Sequence, residues 1–245
     1  MLQFAFAHPG AGVVLGLPHT YVHPYAWTRK PRTKMRAVTI TAALGLVAFL
    51  ALGNLAMVSI VSWVRSTGPS AATPSVMGVR NARVVDDAVW RGAAPSSAGY
   101  RSLAAAGVTT IVDLRAEEDL HVNQALLADL DLRRIAMPIR DGQLPSADQV
   151  HRFLAIVERS PGTVFVHCGA GVGRTGSMAA SYLVATGQAS PKQALARNLA
   201  VGPPSLEQVS YVARLDGDFD RPNPGLVAVS RFLDAPRRLW SRYGA

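Results

Sequence analysis

The sequence predicts an α/β domain with a mostly parallel central sheet flanked by helices, preceded by one transmembrane helix. Two observations support this fold class. Short apolar runs rich in β-branched residues alternate with amphipathic runs of helical length between residues 76 and 222. Upstream of them, 28 consecutive residues from Ala37 to Val64 carry no charge. As a helix this run would be about 42 Å long, which exceeds the roughly 30 Å of a bilayer's hydrocarbon core.

The first half of the α/β domain is expected to begin with a hairpin. The strands Ala82–Val85 and Ala88–Arg91 lie on either side of an Asp-Asp pair, and aspartate favours turns. A helix is expected over Ser97–Ala106, where Gly107 ends it. The apolar, β-branched run Val108–Leu114 is typical of a buried strand. The first half of the domain is thus predicted to contain a hairpin, a helix and a strand, as expected for an α/β layer architecture.

The second half continues the alternation of helix and strand. We expect Ala116–Leu130 to be helical, with acidic residues in its first turn, and Leu132–Ile139 to be a strand. Ser146 and Gln149 have capping-box spacing at the start of a helix that runs to Glu158. The remaining elements are the strand Thr163–His167 and the helices Arg174–Thr186, Ser190–Leu199 and Ser205–Leu215.

The charge is distributed unevenly along the chain. The whole sequence has a formal charge of +9 and an isoelectric point near 10.4, values common among nucleic-acid-binding proteins. Residues 1–74 contain six basic and no acidic side chains, whereas residues 75–222 contain fifteen of each. A nucleic-acid groove needs a basic surface on the folded domain. The neutral α/β domain therefore argues against nucleic acid as a partner.

The residues flanking the apolar run predict its orientation in a membrane. Five basic residues precede it within eight positions, and Arg65 alone follows closely. The positive-inside rule then places the N-terminus in the cytoplasm and the α/β domain outside the cytoplasm. A cleaved secretory signal is the alternative, although the apolar region of a signal normally spans only about 7–15 residues. Cleavage would leave the same domain secreted instead of anchored.

Five segments follow from these patterns. A basic tail without periodicity, expected to be disordered, covers residues 1–36, and the transmembrane helix covers 37–64. A flexible linker rich in Gly, Pro, Ser and Thr covers 65–75. The α/β domain covers 76–222, and a second basic tail covers 223–245.

Residues 163–176, TVFVHCGAGVGRTG, contain the chemically informative pattern. A strand ends in His167 and Cys168, and a helix begins at Arg174 after a glycine-rich loop. Successive backbone N–H groups of such a loop, with the positive end of the helix, form an anion-binding site. Arg174 can bind two phosphate oxygens side by side, and the same positive field favours Cys168 as a nucleophilic thiolate. The expected phosphate-binding loop consists of Gly169, Ala170, Gly171, Val172, Gly173 and Arg174.

Two neighbouring residues support this loop. The Thr175 hydroxyl is expected to hydrogen-bond the Cys168 sulfur and help it to leave, and the His167 imidazole is expected to hold the loop. Cys168 is the single cysteine of the chain, which excludes a disulfide framework and a multi-cysteine zinc site. Cysteine-based chemistry of this kind needs no metal and no cofactor.

The string His-Cys, five residues, Arg, then Thr resembles the signature of the cysteine-dependent protein phosphatases. The patterns VWRGAAPSSAGYRSLAAAGVTTIVDLRAEED and MPIRDGQLPSADQVHRFLAIV are similar to the region before the signature in small bacterial dual-specificity-like phosphatases. The resemblance covers about residues 78–215 and implies a protein tyrosine phosphatase-like fold. It also implies hydrolysis of phosphate monoesters through a phosphocysteine intermediate.

The resemblance implies a general acid as well. In that family an aspartate on a loop before the signature strand protonates the leaving oxygen, and Asp141 matches it, 27 residues before Cys168. Asp131 and Asp148 fit less well, because one begins a strand and the other suits the first turn of a helix. Gln208 matches a recurrent glutamine of the family and is assigned a supporting position facing the pocket.

The expected substrate class rests on a comparison within this family. The domain is too short for the phosphotyrosine-recognition loop of the larger tyrosine phosphatases. Inositide-directed relatives usually carry lysines inside the signature, where this chain has the uncharged Gly169 and Val172. We therefore expect a phosphorylated protein, at phosphotyrosine, phosphoserine or phosphothreonine, or a small phosphate monoester as the partner. The alternatives are a phosphatase for lipid or inositol phosphates and a non-catalytic phosphate-binding module.

Overall fold

The computed structural model of this chain describes residues 32–67, 72–117, 124–216, 219 and 223–235. The chain divides into two compact units, which meet between Leu46 and Val47. The described part of the first unit is helical, and the second contains the rest of that helix and the α/β domain. Most of the predicted N-terminal tail and the end of the predicted C-terminal tail lie outside the described residues.

Helix α1 (Arg32–Thr67) contains the apolar run and is longer than predicted at both ends. It begins within the predicted tail, where Arg, Lys and Met are good helix formers, and it continues into the predicted linker. There the hydroxyls of Ser66 and Thr67 donate to the Trp63 carbonyl in the last turn of the helix. Among the described helices, its segment Ala37–Thr67, with mean hydropathy 2.3, alone is long and apolar enough to cross a membrane.

Five strands form one mostly parallel sheet, which confirms the predicted fold class. The strands are β1 (Arg83–Val84), β2 (Val89–Ala93), β3 (Val108–Arg115), β4 (Arg133–Ile139) and β5 (Thr163–Cys168). Their order across the sheet is β1-β2-β5-β3-β4. β1 and β2 pair antiparallel as the predicted hairpin, and the other three pairings are parallel.

The strands nearest the signature are longer than predicted. β5 includes Cys168, and β2 continues two residues beyond Arg91, because Ala93 and Cys168 are partners in the parallel register. β3 extends to Arg115 through its pairing with β4. The carboxyl ends of these parallel strands meet at one edge of the sheet, which is where α/β folds place their sites.

The described residues form seven further helices around the sheet. Three of them begin with a complete capping box, at Ser146, Ser190 and Ser205, and the sequence predicts the first of these. The helices are α2 (Ser97–Ala105), α3 (Gln124–Asp129), α4 (Ala147–Arg159), α5 (Gly173–Ala185), α6 (Pro191–Val201), α7 (Leu206–Ala213) and α8 (Pro224–Leu233).

The predicted start of the helix at Ala116–Leu130 is wrong. Ala116 and Glu117 are not helical, and the described helix α3 begins at Gln124. The Glu117 carboxylate instead forms an ion pair with Arg174, 2.8 Å away. The acidic side chain that was expected to stabilise a first turn therefore belongs to the candidate site.

Helix α8 lies where the sequence predicts only a basic tail. The Asn223 side chain caps its start by accepting a hydrogen bond from the Gly225 N–H. The buried Ser230 hydroxyl accepts a hydrogen bond from the Glu207 N–H, which joins α8 to the start of α7. A local cap and a tertiary contact thus stabilise a short packing helix at the start of the basic tail.

The end of α1 packs against α6 within the second unit. Val61 and Val64 are buried beside Leu199, forming a small apolar cluster. The Arg65 guanidinium donates to the carbonyls of the last two residues of α6, which have no partner inside their own helix. Arg65 thus joins α1 to the α/β domain instead of starting a linker.

Apolar side chains cover both faces of the sheet. Successive side chains of a strand point to opposite faces, and β5 contributes to both. On one face Val164 is packed in a cluster with Phe153 of α4 and Met178 of α5. On the other face Phe165 belongs to a cluster with Leu103 of α2. This double burial holds β5, and with it the start of the signature loop, at the centre of the domain.

Candidate active site

The carboxyl end of β5 places Cys168 at the base of the predicted phosphate loop. Its side chain is nearly enclosed, and the loop continues to Gly173, where α5 begins. Arg174 therefore lies in the first turn of α5 and is only 4% exposed. A Cβ on Gly169 would lie 3.8 Å from Arg174 Nη2, so the guanidinium lies over the start of the loop.

Two loop glycines are required by the close approach of neighbouring atoms. Gly171 has a φ of 71°, in the left-handed region that favours glycine, and a Cβ there would lie 2.3 Å from the carbonyl carbon of Gly92. A Cβ on Gly173 would lie 2.4 Å from Gln208 Oε1. The glycine pattern thus permits a tight loop packed against β2 on one side and α7 on the other.

Four consecutive carbonyls of the loop, those of residues 169–172, accept hydrogen bonds from outside the loop. The donors are the Ala94 backbone N–H, the Asn81 amide and the Arg91 guanidinium, at distances of 2.8 to 3.2 Å. The sequence analysis did not identify Asn81 or Arg91 as site residues. These donors come from the segment around β2, which runs parallel to β5.

Arg174 is held by the groups at the ends of β3 and β4. Its Nη1 and Nη2 donate to the two carboxylate oxygens of Glu117 at 3.1 and 2.8 Å, and Nη1 also donates to the Ile139 carbonyl at 3.0 Å. Asp141 Oδ1 lies 3.4 Å from Nη2. Within the described part of the chain, Nε has no hydrogen-bond partner. The Nε side of the guanidinium is therefore available to an anion.

The charges of this cluster reinforce one another. Burial acts to lower the pKa of Arg174, but the hydrogen bond to Glu117 and the nearby Cys168 and Asp141 outweigh it and raise that pKa. Burial acts to raise the pKa of Glu117, but its hydrogen bond from Arg174 lowers that pKa overall. Both members of the pair are therefore charged at neutral pH.

Asp141 lies in the turn that follows β4, and its side chain is 45% exposed. The adjoining chain is attached to the start of α7. Ser205 Oγ donates to the Gly142 carbonyl at 3.4 Å, and Gln208 Nε2 donates to the Gln143 carbonyl at 3.2 Å. The structure thus brings Asp141 to the site, on a turn with a defined attachment.

Gln208 is buried beside the loop, but its polar atoms have structural partners. Its Oε1 accepts the Ser205 N–H in the capping box of α7, while Nε2 binds the turn after Asp141. The Gln208 side chain therefore does not face an open pocket. A capping glutamine satisfies the helix start first, and here it also contacts Gly173 of the loop.

His167 lies beneath the loop and is fully buried. Its Nδ1 is 3.4 Å from the Cys168 carbonyl, and its Nε2 is 3.8 Å from Asp113 Oδ1. Burial lowers the pKa of His167 to about 4, although the nearby Asp113 acts in the opposite direction, so the imidazole is neutral at pH 7. Hydrogen bonds from Arg115 and Arg134 outweigh burial and hold the pKa of Asp113 well below its usual range.

Thr175 is fully buried in the first turn of α5. Its hydroxyl has no hydrogen-bond partner among the residues that the structure describes, so the expected bond to the Cys168 sulfur is not formed. Its role in catalysis stays a prediction.

The site residues that the sequence analysis missed share one signal. Glu117 follows β3, and Arg91 lies near the end of β2. Residues at the carboxyl ends of neighbouring parallel strands meet at one edge of a sheet. The order of strands across the sheet, which the sequence did not predict, places both near Cys168, and the type of residue alone did not distinguish them from surface charges.

Metal binding has little support in this arrangement. In the described ranges no three His, Cys, Asp or Glu side chains are grouped in a way that could hold a metal ion. The ionisable groups around Cys168 are arranged as ion pairs with Arg174 instead. The residues present fit an anion better than a cation.

The fold and the cysteine loop define a class, the cysteine-dependent phosphatases of the dual-specificity type. Residues 63–215 match the family model described as DSP-PTPase phosphatase fused to NAD+ kinase. The match covers more than half of the chain, and the chain belongs to this family. The family model and the fold thus support an enzyme of the phosphatase type.

Curated relatives match shorter segments. The probable NAD kinase 2, chloroplastic, of Oryza sativa subsp. japonica is 36% identical over 102 residues, which are 39% of this chain and 10% of that protein. The dual specificity protein phosphatase CDC14A of Homo sapiens is 50% identical over 44 residues, which are 18% of this chain and 7% of that protein. The chain thus matches about a tenth or less of the length of these relatives.

Solved structures share the fold at lower identity. TpbA from P. aeruginosa, in complex with phosphotyrosine, is 22% identical with a TM-score of 0.51, over 67% of this chain and 98% of that one. The core catalytic domain of the PP-IP phosphatase SIW14 from S. cerevisiae, in complex with citrate, is 17% identical with a TM-score of 0.51. The latter likeness covers 68% of this chain and 97% of that one. These structures support the fold.

Proposed function

We propose that this chain hydrolyses phosphate monoesters on proteins, at phosphotyrosine, phosphoserine or phosphothreonine, through a phosphocysteine intermediate. The convergence of three side chains from three elements supports the proposal. Cys168 ends β5, Arg174 opens α5 and Asp141 follows β4, with Asp141 Oδ1 3.4 Å from Arg174 Nη2. A nucleophile, a fixed cation and a carboxylic acid are the groups that such a reaction requires.

In the first step the Cys168 thiolate attacks phosphorus. A sulfur–phosphorus bond forms while the bond from phosphorus to the leaving oxygen breaks. Asp141, protonated at the start of this step, gives its proton to that oxygen, so the alcohol or phenol leaves uncharged. The N–H groups of the loop and Arg174 bind the three remaining phosphoryl oxygens, whose charge they stabilise.

In the second step a water molecule attacks the phosphocysteine. The Asp141 carboxylate accepts a proton from the water as the new phosphorus–oxygen bond forms. The sulfur–phosphorus bond breaks, Cys168 leaves as a thiolate and inorganic phosphate is released. The Thr175 hydroxyl, buried without a partner in the described structure, is assigned to donate a hydrogen bond to the departing sulfur.

The contacts of Arg174 define which of its donors serve the phosphate. Glu117 and the Ile139 carbonyl use both Nη1 hydrogens and one Nη2 hydrogen. The Nε hydrogen and the second Nη2 hydrogen remain, and these two lie side by side on one edge of the guanidinium. A side-by-side pair of donors suits two oxygens of one phosphoryl group.

Local charge favours a protein substrate over a polyphosphorylated head group. The loop positions 169 and 172 are uncharged, and the described cations nearest the loop already have acceptors. The fold alone does not separate the classes, because TpbA in complex with phosphotyrosine and the PP-IP phosphatase SIW14 both share it. Lipid or inositol phosphates remain the alternative substrates, and a non-catalytic phosphate-binding module is the alternative function.

The proposed mechanism predicts the behaviour of the full-length chain purified in detergent. It should hydrolyse a small aryl phosphate in the presence of a chelator. Cys168→Ser should abolish turnover, and Asp141→Asn should lower kcat by roughly 10²–10⁴-fold, since it removes the proposed acid and base. Asp148→Asn is the matched control, because Asp148 lies in the first turn of α4 and should leave kcat within about twofold. Turnover by the Cys168→Ser variant would contradict the mechanism.

The substrate class is tested with a panel at equal concentration. It contains phosphotyrosine, phosphoserine and phosphothreonine peptides, a phosphatidylinositol phosphate in vesicles and a soluble inositol phosphate. We expect a higher kcat/KM for at least one peptide than for either inositide. A preference for the inositides would overturn the proposed substrate class, and stoichiometric peptide binding without turnover would establish the binding module.

We also propose that α1 anchors the chain in a membrane, with the N-terminus in the cytoplasm and the α/β domain outside it. The uncharged run 37–64, its flanking positive charges and the long helix support this topology. A reporter fused to the C-terminus should be active only outside the cytoplasm, and the full-length chain should fractionate with membranes. A cytoplasmic reporter signal would refute the orientation, and a soluble, shortened exported product would establish signal cleavage instead.

A further inference from the structure

The carbonyls of the phosphate loop are bound in an unbroken series. The carbonyls of residues 169, 170, 171 and 172 each accept a hydrogen bond from the segment between residues 81 and 94. A trans peptide unit is planar, and its C=O and N–H point in opposite directions. Holding these four carbonyls on one side therefore directs the N–H groups of residues 170–173 to the other side.

Arg91 makes two of these four bonds from a buried position. Its side chain is 4% exposed, and its Nη2 lies 2.8 Å from the Gly171 carbonyl and 3.2 Å from the Val172 carbonyl. Burial is the main cause that lowers the pKa of Arg91, to about 10, while the nearby Cys168 acts to raise it. Arg91 therefore remains a cation at neutral pH, beneath the loop and separate from Arg174.

The position of Arg91 is itself fixed from α6. Asn198 Oδ1 lies 3.2 Å from Arg91 Nη2, and the Asn198 side chain is 1% exposed. A Cβ on Gly176 would lie 1.8 Å from Asn198 Oδ1, so α5 and α6 meet closely at this point. Arg91 is thus enclosed by the loop, α5 and α6, which restricts its rotamer.

Asn81 supplies a third bond from the surface. Its Nδ2 donates to the Ala170 carbonyl at 2.9 Å, and its backbone has a φ of 56°. Asparagine adopts this left-handed conformation more readily than most residues, and glycine adopts it most readily of all. Replacement by glycine would consequently remove the donor while keeping the backbone conformation.

We propose that Arg91 and Asn81 are positioning residues for phosphate binding, which hold the loop peptides so that their N–H groups converge on one phosphoryl group. Neither side chain contacts the substrate. Their action is through the loop carbonyls, and the proposal rests on the proposed function of that loop as a phosphate site. Arg174 supplies the cation that touches the phosphate, whereas Arg91 supplies the orientation of the amides.

The direct test measures the binding of inorganic phosphate to the full-length chain in detergent by titration calorimetry. All variants carry Cys168→Ser, so binding is measured independently of turnover. We expect Arg91→Met to raise the Kd for phosphate by more than tenfold and Asn81→Gly to raise it about threefold. Arg91→Lys should lie between Arg91→Met and the parent, because an ammonium keeps the charge but its shorter side chain does not reach the position of Nη2, which makes both bonds.

Arg83→Met is the matched control. Arg83 lies on β1, and its guanidinium donates to the Ala82 carbonyl rather than to the loop. It should leave the Kd within about twofold. Thermal unfolding is recorded for each variant; if Arg91→Met does not fold, Asn81→Gly and Arg91→Lys decide the outcome. Unchanged phosphate Kd values in the folded variants overturn the proposal.

Kinetics with the active cysteine give the second readout. Arg91→Met and Asn81→Gly should raise KM for an aryl phosphate and the inhibition constant of phosphate by similar factors, whereas a purely structural role would change only the melting temperature. If the parent shows phosphate binding without turnover, the proposed catalytic function fails but the positioning role stands. If the parent binds no phosphate, both fail.

Discussion

At the scale of single residues, the ion pair between Glu117 and Arg174 is the least expected part of the site. Glu117 accepts from both terminal nitrogens of the guanidinium, and this fork geometry fixes the plane of the arginine. Because the same contact leaves the Nε edge open, Glu117 orients the cation instead of competing with the phosphate. The half-exposed position of Glu117 means that its effect on overall stability is small.

We therefore predict that Glu117→Gln lowers kcat/KM for an aryl phosphate by about tenfold, because an amide offers only one acceptor oxygen to the two guanidinium nitrogens. Steady-state kinetics measure the change. Glu158→Gln, at an exposed position on α4, removes an equal charge away from the site and is the control. A rate equal to or above that of the parent would show that Glu117 blocks the site instead of ordering it.

His167 gives the domain a stability that depends on pH. Its ordinary pKa of 6.5 falls to about 4 in the folded state, chiefly through burial. Between these values the unfolded chain binds a proton that the folded domain does not, so the free energy of unfolding decreases as pH falls from 6.5 to 4. This group contributes its full stability above pH 6.5, and up to about 3 kcal/mol is lost on acidification.

We predict that urea unfolding between pH 7 and pH 4.5 shows this decrease in the parent chain and a weaker one in His167→Gln. The window stays above the range in which the buried Asp113 titrates, because the pKa of Asp113 is held far below its usual range. His151→Gln, which changes an exposed histidine on α4, should retain the slope of the parent. Equal slopes for the parent and His167→Gln would refute this assignment.

At the scale of elements, the contact between α5 and α6 connects packing to the phosphate loop. Gly176 allows the two helices to meet where Asn198 reaches Arg91. An added methyl group at Gly176 would overlap buried atoms that have little room to move, since Asn198 is almost fully buried. The helices must then separate, which displaces the side chain that holds Arg91.

We expect Gly176→Ala to lower the free energy of unfolding by about 1–3 kcal/mol and to reduce kcat/KM as well. Ser177→Ala is the neighbouring control, because the buried Ser177 hydroxyl has no partner among the described residues and its loss should be neutral or stabilising. Adding Asn198→Ala to Gly176→Ala should recover stability but not kcat/KM. Recovery of both would show that Asn198 acts by packing alone.

The capping box at α7 explains why Gln208 was interpreted incompletely. A recurring glutamine beside a catalytic loop resembles a group that faces the substrate. In the structure its side chain closes the start of α7 through Ser205 and also binds the turn that carries Asp141. The Ser-x-x-Gln spacing of SLEQ is itself a capping signal, so the sequence contained the information for this role.

At the scale of the whole molecule, features that depend on local sequence patterns were predicted, whereas contacts between residues far apart in the chain were not. The order of strands and helices, the glycine-rich loop and the capping box at Ser146 depend on neighbouring residues, and the structure has them where the sequence predicts them. The general acid position at Asp141 came from resemblance, and the structure places it within 3.4 Å of Arg174. Each of these rests on residues that are close together in the sequence.

The supporting contacts of the site could not be predicted in the same way. Glu117 is 57 residues from Arg174, and Asn81 is 89 residues from the loop carbonyl that it binds. Whether a charged residue near a strand end faces the site depends on side-chain direction and sheet order together. The same limit applies to the contact between α8 and α7, which joins Ser230 to Glu207 across 23 residues.

The packing of α1 against α6 determines how the proposed membrane anchor is connected to the catalytic domain. Eleven flexible residues at positions 65–75 would allow an end-to-end distance of about 18 Å. Instead, Arg65 and the adjoining valines attach the helix end to the α/β domain. In the proposed topology the α/β domain is therefore attached directly to the end of α1, where the sequence predicts a flexible spacer.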